Sequence, residues 1–191
     1  MNFMMRKNVI LIALTIATIF VAACARDNKE SQRQKVMNNN NLVAYFSCTG
    51  TTEEVAKIIA EEDGATLYRI EPEQPYTSAD LDWNDRKSRS TVEMNDSSSR
   101  PAIKATLKNA ADYDTIYIGY PIWWDQAPRV INSFIEKYGF AGKTVIPFAT
   151  SGGSTIDNSE KLLRAQYSDI NWQPGRLLNH VSEKEIDQWV N

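Results

Sequence analysis

The feature that most constrains the fold is a regular alternation of short β-forming segments with segments of helical period. Helical spacing is clear after the first β-forming segment, where Val55, Ile58 and Ile59 fall on one face. Strands that alternate with helices need right-handed crossovers, which produce a parallel sheet covered by helices on both faces. The sequence therefore predicts an α/β fold, a doubly wound, three-layer parallel sheet of five strands. The clearest strand segments are 42–46, 66–70, 115–120 and 144–149.

Local signals refine this outline. Pro128 and Gly139 bracket a helix whose apolar stripe runs from Val130 to Tyr138. Pro147 removes a ladder donor inside the fourth strand, which predicts either a bulge or a shorter strand. A further helix is indicated around Leu162, Leu163 and Gln166, a short last strand at Asn171 or 176–178, and a closing helix after the capping box Ser182-x-x-Glu185.

The amino-terminal segment is predicted to serve export. Arg6 and Lys7 precede an apolar run over 9–23, which is too short and too asymmetrically flanked for a convincing membrane span. The run ends in Val-Ala-Ala-Cys24, which resembles a bacterial lipobox, and we expect lipidation of Cys24; the alternative is an ordinary signal peptide with a chance cysteine. The polar stretch 25–41 is then a flexible tether, and 42–191 is the folded domain, held at the extracytoplasmic or periplasmic face of the bacterial envelope.

Charge and cysteine usage exclude several functions. Removal of residues 1–24 takes away two positive charges and no acidic ones, so the formal net charge moves from −3 to −5. An acidic domain is a poor nucleic-acid binder. With Cys24 lipidated, Cys48 is the remaining thiol, and the chain has neither an internal disulfide nor a CxxC zinc or redox motif.

The loop after the first strand is rich in hydroxyls. It reads Ser47-Cys48-Thr49-Gly50-Thr51-Thr52 and opens the first helix. Hydroxyl donors and free N–H groups at a helix N-terminus suit a phosphate, although the same residues could simply cap the helix. The loop has neither the GK[ST] ending of a triphosphate-binding loop nor the three-glycine dinucleotide fingerprint.

Cys48 is a poor candidate nucleophile. Cysteine-dependent phosphatases place an arginine six residues after the nucleophile, where this chain has Glu54. A Cys–His hydrolase would need His180, the one histidine of the chain, which is more simply interpreted as a loop or surface residue.

Two later loops complete a candidate site. The loop 119–128 carries Trp123 and Trp124 between two prolines, and large exposed rings in a loop suit a planar aromatic ligand. One of the two rings could instead pack onto a helix. The loop Thr150-Ser151-Gly152-Gly153-Ser154 follows the fourth strand, and its glycines let the backbone approach a flat ligand. Ligands of such sheets bind at the carboxyl ends of strands.

The motifs YFSCTGTTEEVA, GYPIWWDQAPRVINSFIEKY and GKTVIPFATSGGS together resemble the flavodoxin-like family, in particular a bacterial branch with YPIWW and TSGG loops. The resemblance covers 42–191 and implies a strand order of 2-1-3-4-5 and noncovalent FMN. It implies that the phosphate is held by Ser47, Thr49, Gly50, Thr51 and Thr52 of the first loop. The family often has asparagine where this chain has Thr51. The resemblance places Pro121, Ile122, Trp123 and Trp124 beside the isoalloxazine and 150–153 at the ring edge.

The segment 71–99 is long for a connection inside a compact domain, which is typical of functional or disordered stretches. In the resembling branch it would lie over the flavin side. Trp83, Arg89 and Glu93 are its candidate site residues, and the alternative is a solvated surface excursion.

Three functions remain open from the sequence. The first is an electron carrier that exchanges electrons with redox proteins or small quinone-like acceptors. The second is an NAD(P)H-dependent flavin or quinone reductase, and the third is a lipoprotein module that has lost flavin. Stacked indoles and a net acidic domain predict a lowered flavin potential.

Overall fold

A computed structural model describes residues 40–179 and 182–190 of the chain. The predicted signal peptide, Cys24, most of the predicted tether and His180 lie outside the described residues. Among the residues that are described, no helix is both long and apolar enough to cross a membrane.

The described chain alternates strands and helices as the sequence predicts. A 3-10 turn at Ala110–Asp112 precedes the third strand. The strands are β1 (Asn41–Tyr45), β2 (Thr66–Arg69), β3 (Thr115–Pro121), β4 (Thr144–Thr150), β5 (Asn171–Trp172) and β6 (Arg176–Leu177). The helices are α1 (Thr51–Asp63), α2 (Arg89–Asn95), α3 (Arg129–Tyr138), α4 (Asp157–Gln166) and α5 (Glu183–Val190).

The sheet is parallel, with strand order β2-β1-β3-β4-β5 and with β6 also paired to β4. This confirms the predicted α/β fold and its 2-1-3-4-5 order. Leu42 and Ala44 of β1 face one core, whereas Val43 and Tyr45 face the other, because successive strand residues point to opposite faces. The first core includes Val130, Ile131 and Phe134 of α3, and the second includes Ala56 and Ile59 of α1 and Ile186 of α5.

Helix ends follow the predicted signals. Gly139 caps α3 with a positive φ of 66°, and its N–H donates to the carbonyl of Ile135. Ser182 and Glu185 form the expected capping box at the start of α5, where the Ser182 N–H donates to Glu185 at 3.0 Å. β1 begins at Asn41, one residue inside the stretch assigned to the tether.

Pro147 neither bulges nor shortens β4. The strand runs unbroken from Thr144 to Thr150, with Pro147 opposite Ile118 of β3. The carbonyls of Val145 and Ala149 accept hydrogen bonds from the other side, from Gln173 and Leu178. Alternation along a strand places the missing N–H of Pro147 on that same side. The chain beside β4 is accordingly divided into two short strands, β5 opposite residues 144–145 and β6 opposite residues 148–149. The hydrogen bond that Pro147 cannot donate is therefore missing at the edge of the sheet.

Gly119 lies at a point of the sheet that leaves no room for a side chain. It pairs with Phe148 across β3 and β4, and a Cβ at position 119 would lie 2.1 Å from the Phe148 ring. The ring occupies the space that any side chain at position 119 would need. Glycine is therefore required at position 119, because the Phe148 ring leaves no room for a Cβ.

We expect Gly119→Ala to lower the free energy of unfolding by about 3 kcal/mol, because overpacking displaces the Phe148 ring. Urea denaturation of the purified protein measures this. A second substitution, Phe148→Leu, should make the loss less than additive, since it frees the space that the methyl group needs.

Gly153→Ala is the matched control, because a Cβ there meets nothing within 4 Å. Its unfolding free energy should stay within about 0.5 kcal/mol of the parent. Equal losses at both glycines would contradict the packing argument.

Candidate functional site

Three loops meet at the carboxyl edge of the sheet, because β1, β3 and β4 run parallel and end side by side. They surround a cavity of about 580 Å³, and residues of the 71–99 segment complete its wall. The lining residues are Ser47, Cys48, Thr49, Leu81, Trp83, Ser90, Pro121, Ile122, Trp123, Trp124, Ser151, Gly152, Gly153 and Ser154. The structure thus brings together the three loops that the sequence singled out. It leaves Gly50, Thr51, Thr52 and Thr150 of the predicted set outside the cavity wall.

Buried hydrogen bonds fix the loops relative to one another. The hydroxyls of Thr52 and Thr150 share a buried hydrogen bond of 2.8 Å between the first and third loops. The Ile122 N–H donates to the Thr150 carbonyl at 2.8 Å and joins the second loop to the third. Thr52 and Thr150 therefore hold the wall in place rather than line it.

The first loop leads into α1 without a side-chain cap. The N-cap residue is Gly50, with a φ of 97°, and its own N–H donates to the Ser47 hydroxyl at 3.1 Å. The Thr49 and Thr51 side chains are exposed beside this helix start. The capping alternative considered for this loop therefore does not describe α1, whose first N–H groups carry the partial positive charge that favours anions.

Arg69 of β2 is a cation near this loop that the sequence analysis missed. Its guanidinium donates to the Ser47 carbonyl at 3.3 Å and pairs with Glu53 at 3.3 Å. Glu53 also pairs with Lys57 at 2.7 Å, and this hydrogen bond holds the pKa of the Glu53 carboxyl below its usual range. The two cations offset the acidic first turn of α1.

Cys48 lies at the rim of the cavity. The residue is exposed, yet desolvation by the surrounding protein raises the pKa of the thiol to about 11, against the opposing influence of Arg69 and Arg89. The thiol is therefore protonated and weakly nucleophilic at neutral pH.

The second loop displays Trp124 on a strained turn. The backbones of Trp123 and Gln126 exchange hydrogen bonds of 3.0 and 2.9 Å, and the two residues between them, Trp124 and Asp125, have φ values of 47° and 60°. Positive φ at both central positions is the pattern of a type I′ turn, which normally selects Asn, Asp or Gly. Trp124 is 40% exposed and pays a conformational cost to stand at the cavity rim.

Trp123 packs against neighbouring aromatic rings rather than onto a helix, and it still lines the cavity. It meets Phe46 and Tyr76 edge to face, with ring centroids 5.5 and 5.3 Å apart. The Tyr76 hydroxyl donates to Glu93, and the Arg89 guanidinium lies 4.1 Å from the centre of the Tyr76 ring. This cluster gives Trp123 a fixed orientation.

The third loop is held by polar side chains. The Ser151 hydroxyl accepts from the N–H groups of Gly153 and Ser154 at 3.1 and 2.8 Å, and Asn179 hydrogen-bonds both the N–H and the carbonyl of Ser151. Neither Gly152 nor Gly153 has a positive φ, and an added Cβ would meet nothing within 4 Å at either position. The protein's own packing therefore does not require these glycines.

The 71–99 segment is folded against the cavity through α2. Trp83, one of its three candidates, lines the wall and is 74% exposed. Arg89 and Glu93 do not line it, and their role is to hold Tyr76. Leu81 and Ser90 line the wall and were missed, since no local pattern distinguishes them from other residues of a polar connection.

Arg129 anchors α2 from the neighbouring helix α3. Its buried guanidinium donates to the carbonyls of Met94 and Asp96 at 3.0 and 3.1 Å, and also to the Gln126 side chain at 3.0 Å. Burial lowers the pKa of Arg129, but the carbonyl acceptors satisfy the charge. The end of α2 is thereby joined to the tryptophan loop.

Comparison with known proteins agrees with this fold. A candidate flavoprotein from Bacteroides eggerthii DSM 20697 is 58% identical over 80% of this chain and 96% of its own, with a TM-score of 0.78. One from Bacteroides uniformis ATCC 8492 is 59% identical over 80% and 97%, with a TM-score of 0.77. A flavoprotein from Lactobacillus acidophilus NCFM in complex with FMN shares the fold at 20% identity, with a TM-score of 0.62 over 79% and 98%.

No curated protein matches the chain. In the described part of the chain no group of acidic, histidine or cysteine side chains could hold a metal ion. The sequence model of the flavodoxin family matches residues 40–191, which is the whole of the sheet and its helices. This chain belongs to the flavodoxin family.

Proposed function

We propose that this protein binds FMN noncovalently in the cavity and carries electrons between redox partners. The observation that carries the proposal is the composition of the cavity wall, in which aromatic rings, hydroxyls and glycines surround about 580 Å³ and no lining side chain is charged. A volume of this size falls within the usual range for small-molecule and cofactor sites.

The first loop fits the phosphate. Backbone N–H groups of an uncapped helix, the exposed hydroxyls of Thr49 and Thr51, and the nearby Arg69 supply donors and positive potential for a dianion. Ser47 is already used to hold Gly50, so its role would be to shape the loop.

The other two loops fit the ring. Trp124 offers a large, partly exposed face at the rim, and Trp123 is held on the wall by its aromatic neighbours. The protein's own packing does not require glycine at positions 152 and 153. The absence of side chains there would let the backbone reach the polar edge of a flat ligand. The FMN complex of the Lactobacillus acidophilus relative supports the choice of flavin.

When bound, the flavin would supply the electron chemistry. The protein's part would be to orient the ring, exclude water and set the electrostatics. An uncharged wall inside an acidic domain disfavours added negative charge, which predicts a lowered potential. No lining side chain is a charged acid or base at neutral pH, which favours electron carriage over a reaction that needs proton transfer from the protein.

We further propose that the protein works at the extracytoplasmic face of a bacterial membrane, tethered through a lipid on Cys24. Soluble pyridine nucleotide is scarce there, so the partners we expect are membrane-bound or soluble redox proteins and small quinone-like acceptors. The small-residue pattern that ends in Cys24 supports the anchor.

Addition of FMN to the purified protein, followed by desalting and an absorbance spectrum, tests the cofactor. We expect flavin bands to remain with the protein. Anaerobic addition of NADH or NADPH then separates the functions, because a carrier should keep its bands, whereas a reductase should bleach rapidly. A colourless protein would overturn the proposal and support a module that has lost flavin.

Trp124→Gly should separate binding from stability. Glycine relieves the positive φ, so we expect the free energy of unfolding of the flavin-free protein not to fall, while the affinity for FMN drops about tenfold through loss of the stacking surface. Fluorescence titration with FMN and urea denaturation measure the two effects.

Asp125→Gly is the matched control on the same turn. It relieves the same kind of strain without removing a ring, so stability should behave as in Trp124→Gly while FMN affinity stays unchanged. Equal affinity losses in both variants would mean that the turn, and not the indole, determines binding.

Cys48 should react slowly in the folded protein, because its thiol stays protonated. Because burial raises its pKa to about 11, the folded protein should react with iodoacetamide at pH 8 about tenfold more slowly than the urea-unfolded chain, and the rate should rise as the pH approaches 11. Peptide mass spectrometry assigns the reaction to Cys48. Equal rates in folded and unfolded protein would show that folding does not raise the pKa of the thiol.

A further inference from the structure

The side-chain hydroxyl of Ser90 is buried and has no hydrogen-bond partner. Among the described side chains, two buried polar atoms make no hydrogen bond, namely the Ser90 hydroxyl and the side-chain amide oxygen of Asn132. Asn132 still uses its amide group, which donates to Gln166 and Tyr167 at 3.0 Å. Ser90 is 1% exposed, and it alone of the two residues lines the cavity.

Several other hydroxyls of the 71–99 segment form hydrogen bonds. Ser88 donates to Thr91 at 2.8 Å and accepts from the Thr91 N–H as the N-cap of α2. In the preceding turn, the Thr77 hydroxyl donates to Asp80 at 2.8 Å, and after the helix Ser98 donates to Asp96 at 2.6 Å. Among the described residues of the segment, the Ser90 hydroxyl is the one buried side-chain polar atom without a partner. A buried unpaired hydroxyl lowers stability.

The surroundings hold Ser90 in place. Its N–H donates to the Asp80 carbonyl at 3.0 Å, which fixes the start of α2 against the preceding turn. Arg129 binds the carbonyls at the other end of the helix. With both ends of α2 tied, the backbone at Ser90 has a fixed place in the cavity wall, as a preorganised ligand contact requires.

We propose that the Ser90 hydroxyl forms a hydrogen bond with the polar edge of the bound flavin ring, and that α2 is therefore part of the binding site. This inference rests on the proposed function and deepens it. Its thermodynamic signature is distinctive: the hydroxyl is unfavourable in the flavin-free protein and favourable in the complex. A residue with a purely structural role would change stability and affinity in the same direction.

The test uses Ser90→Ala in the full chain. The flavin-free variant should melt at the same temperature as the parent or higher, because an unpaired buried hydroxyl is removed. Fluorescence titration should show about fivefold to tenfold weaker binding of FMN. Riboflavin lacks the phosphate and lumiflavin lacks the whole ribityl phosphate chain. The affinity of the variant for both should fall by the same factor as its affinity for FMN, because all three share the ring.

Ser88→Ala is the control for local damage to α2. It removes the N-cap, so the melting temperature should fall while the affinity of the folded protein for the three flavins remains that of the parent. A loss of affinity in Ser88→Ala equal to that in Ser90→Ala would overturn the inference, since helix integrity would then explain both.

The remaining outcomes are also decisive. Unchanged affinity in Ser90→Ala, or a joint loss of stability and affinity, would overturn the role of Ser90 while the proposed function stands. Weakening confined to FMN would move the contact to the phosphate and overturn the ring assignment. If the parent protein binds none of the three flavins, the proposed function itself fails.

Discussion

The parallel register of β1, β3 and β4 is the constraint on which the rest of the structure depends. It brings Tyr45 beside Gly119 and Pro121 beside Thr150, so the three loops that follow these strands must leave the same edge together. The register itself depends on close approach, since the Phe148 ring fills the space over Gly119. A slip of one residue would turn every strand side chain to the opposite core and separate the loops.

The edge is then made rigid, at some cost. The hydroxyl pair of Thr52 and Thr150 and the Arg129 guanidinium tie together the loops and α2. Two unfavourable features are kept within this rigid frame, the left-handed backbone of Trp124 and the unpaired hydroxyl of Ser90. Both lie on the cavity wall, and features of this kind persist where surrounding structure enforces them and function uses them.

Electrostatics and shape point in the same direction. The wall of the cavity is uncharged, its one thiol is kept neutral, and the charged groups of the site stand behind the wall or beside the start of α1. Arg89 and Glu93 illustrate this arrangement, because their charges orient Tyr76 and, through it, Trp123. Such a site is suited to hold a flat ligand and to set its electronic environment, and it offers little for acid–base chemistry.

The sequence by itself determined the alternation of elements, the strand order through family resemblance, and the three loops, because these depend on hydrophobic period, turn residues and short motifs that are local. Only the tertiary structure decided which residues of those loops face the cavity and which brace it. Thr52 and Thr150 brace each other across 98 positions, and Ser90, Leu81 and Arg69 join the site from distant segments. β4 continues through Pro147, whereas the chain beside it is split into β5 and β6. The sequence could not predict this, because the side of the strand that lacks the N–H is fixed only when the sheet assembles.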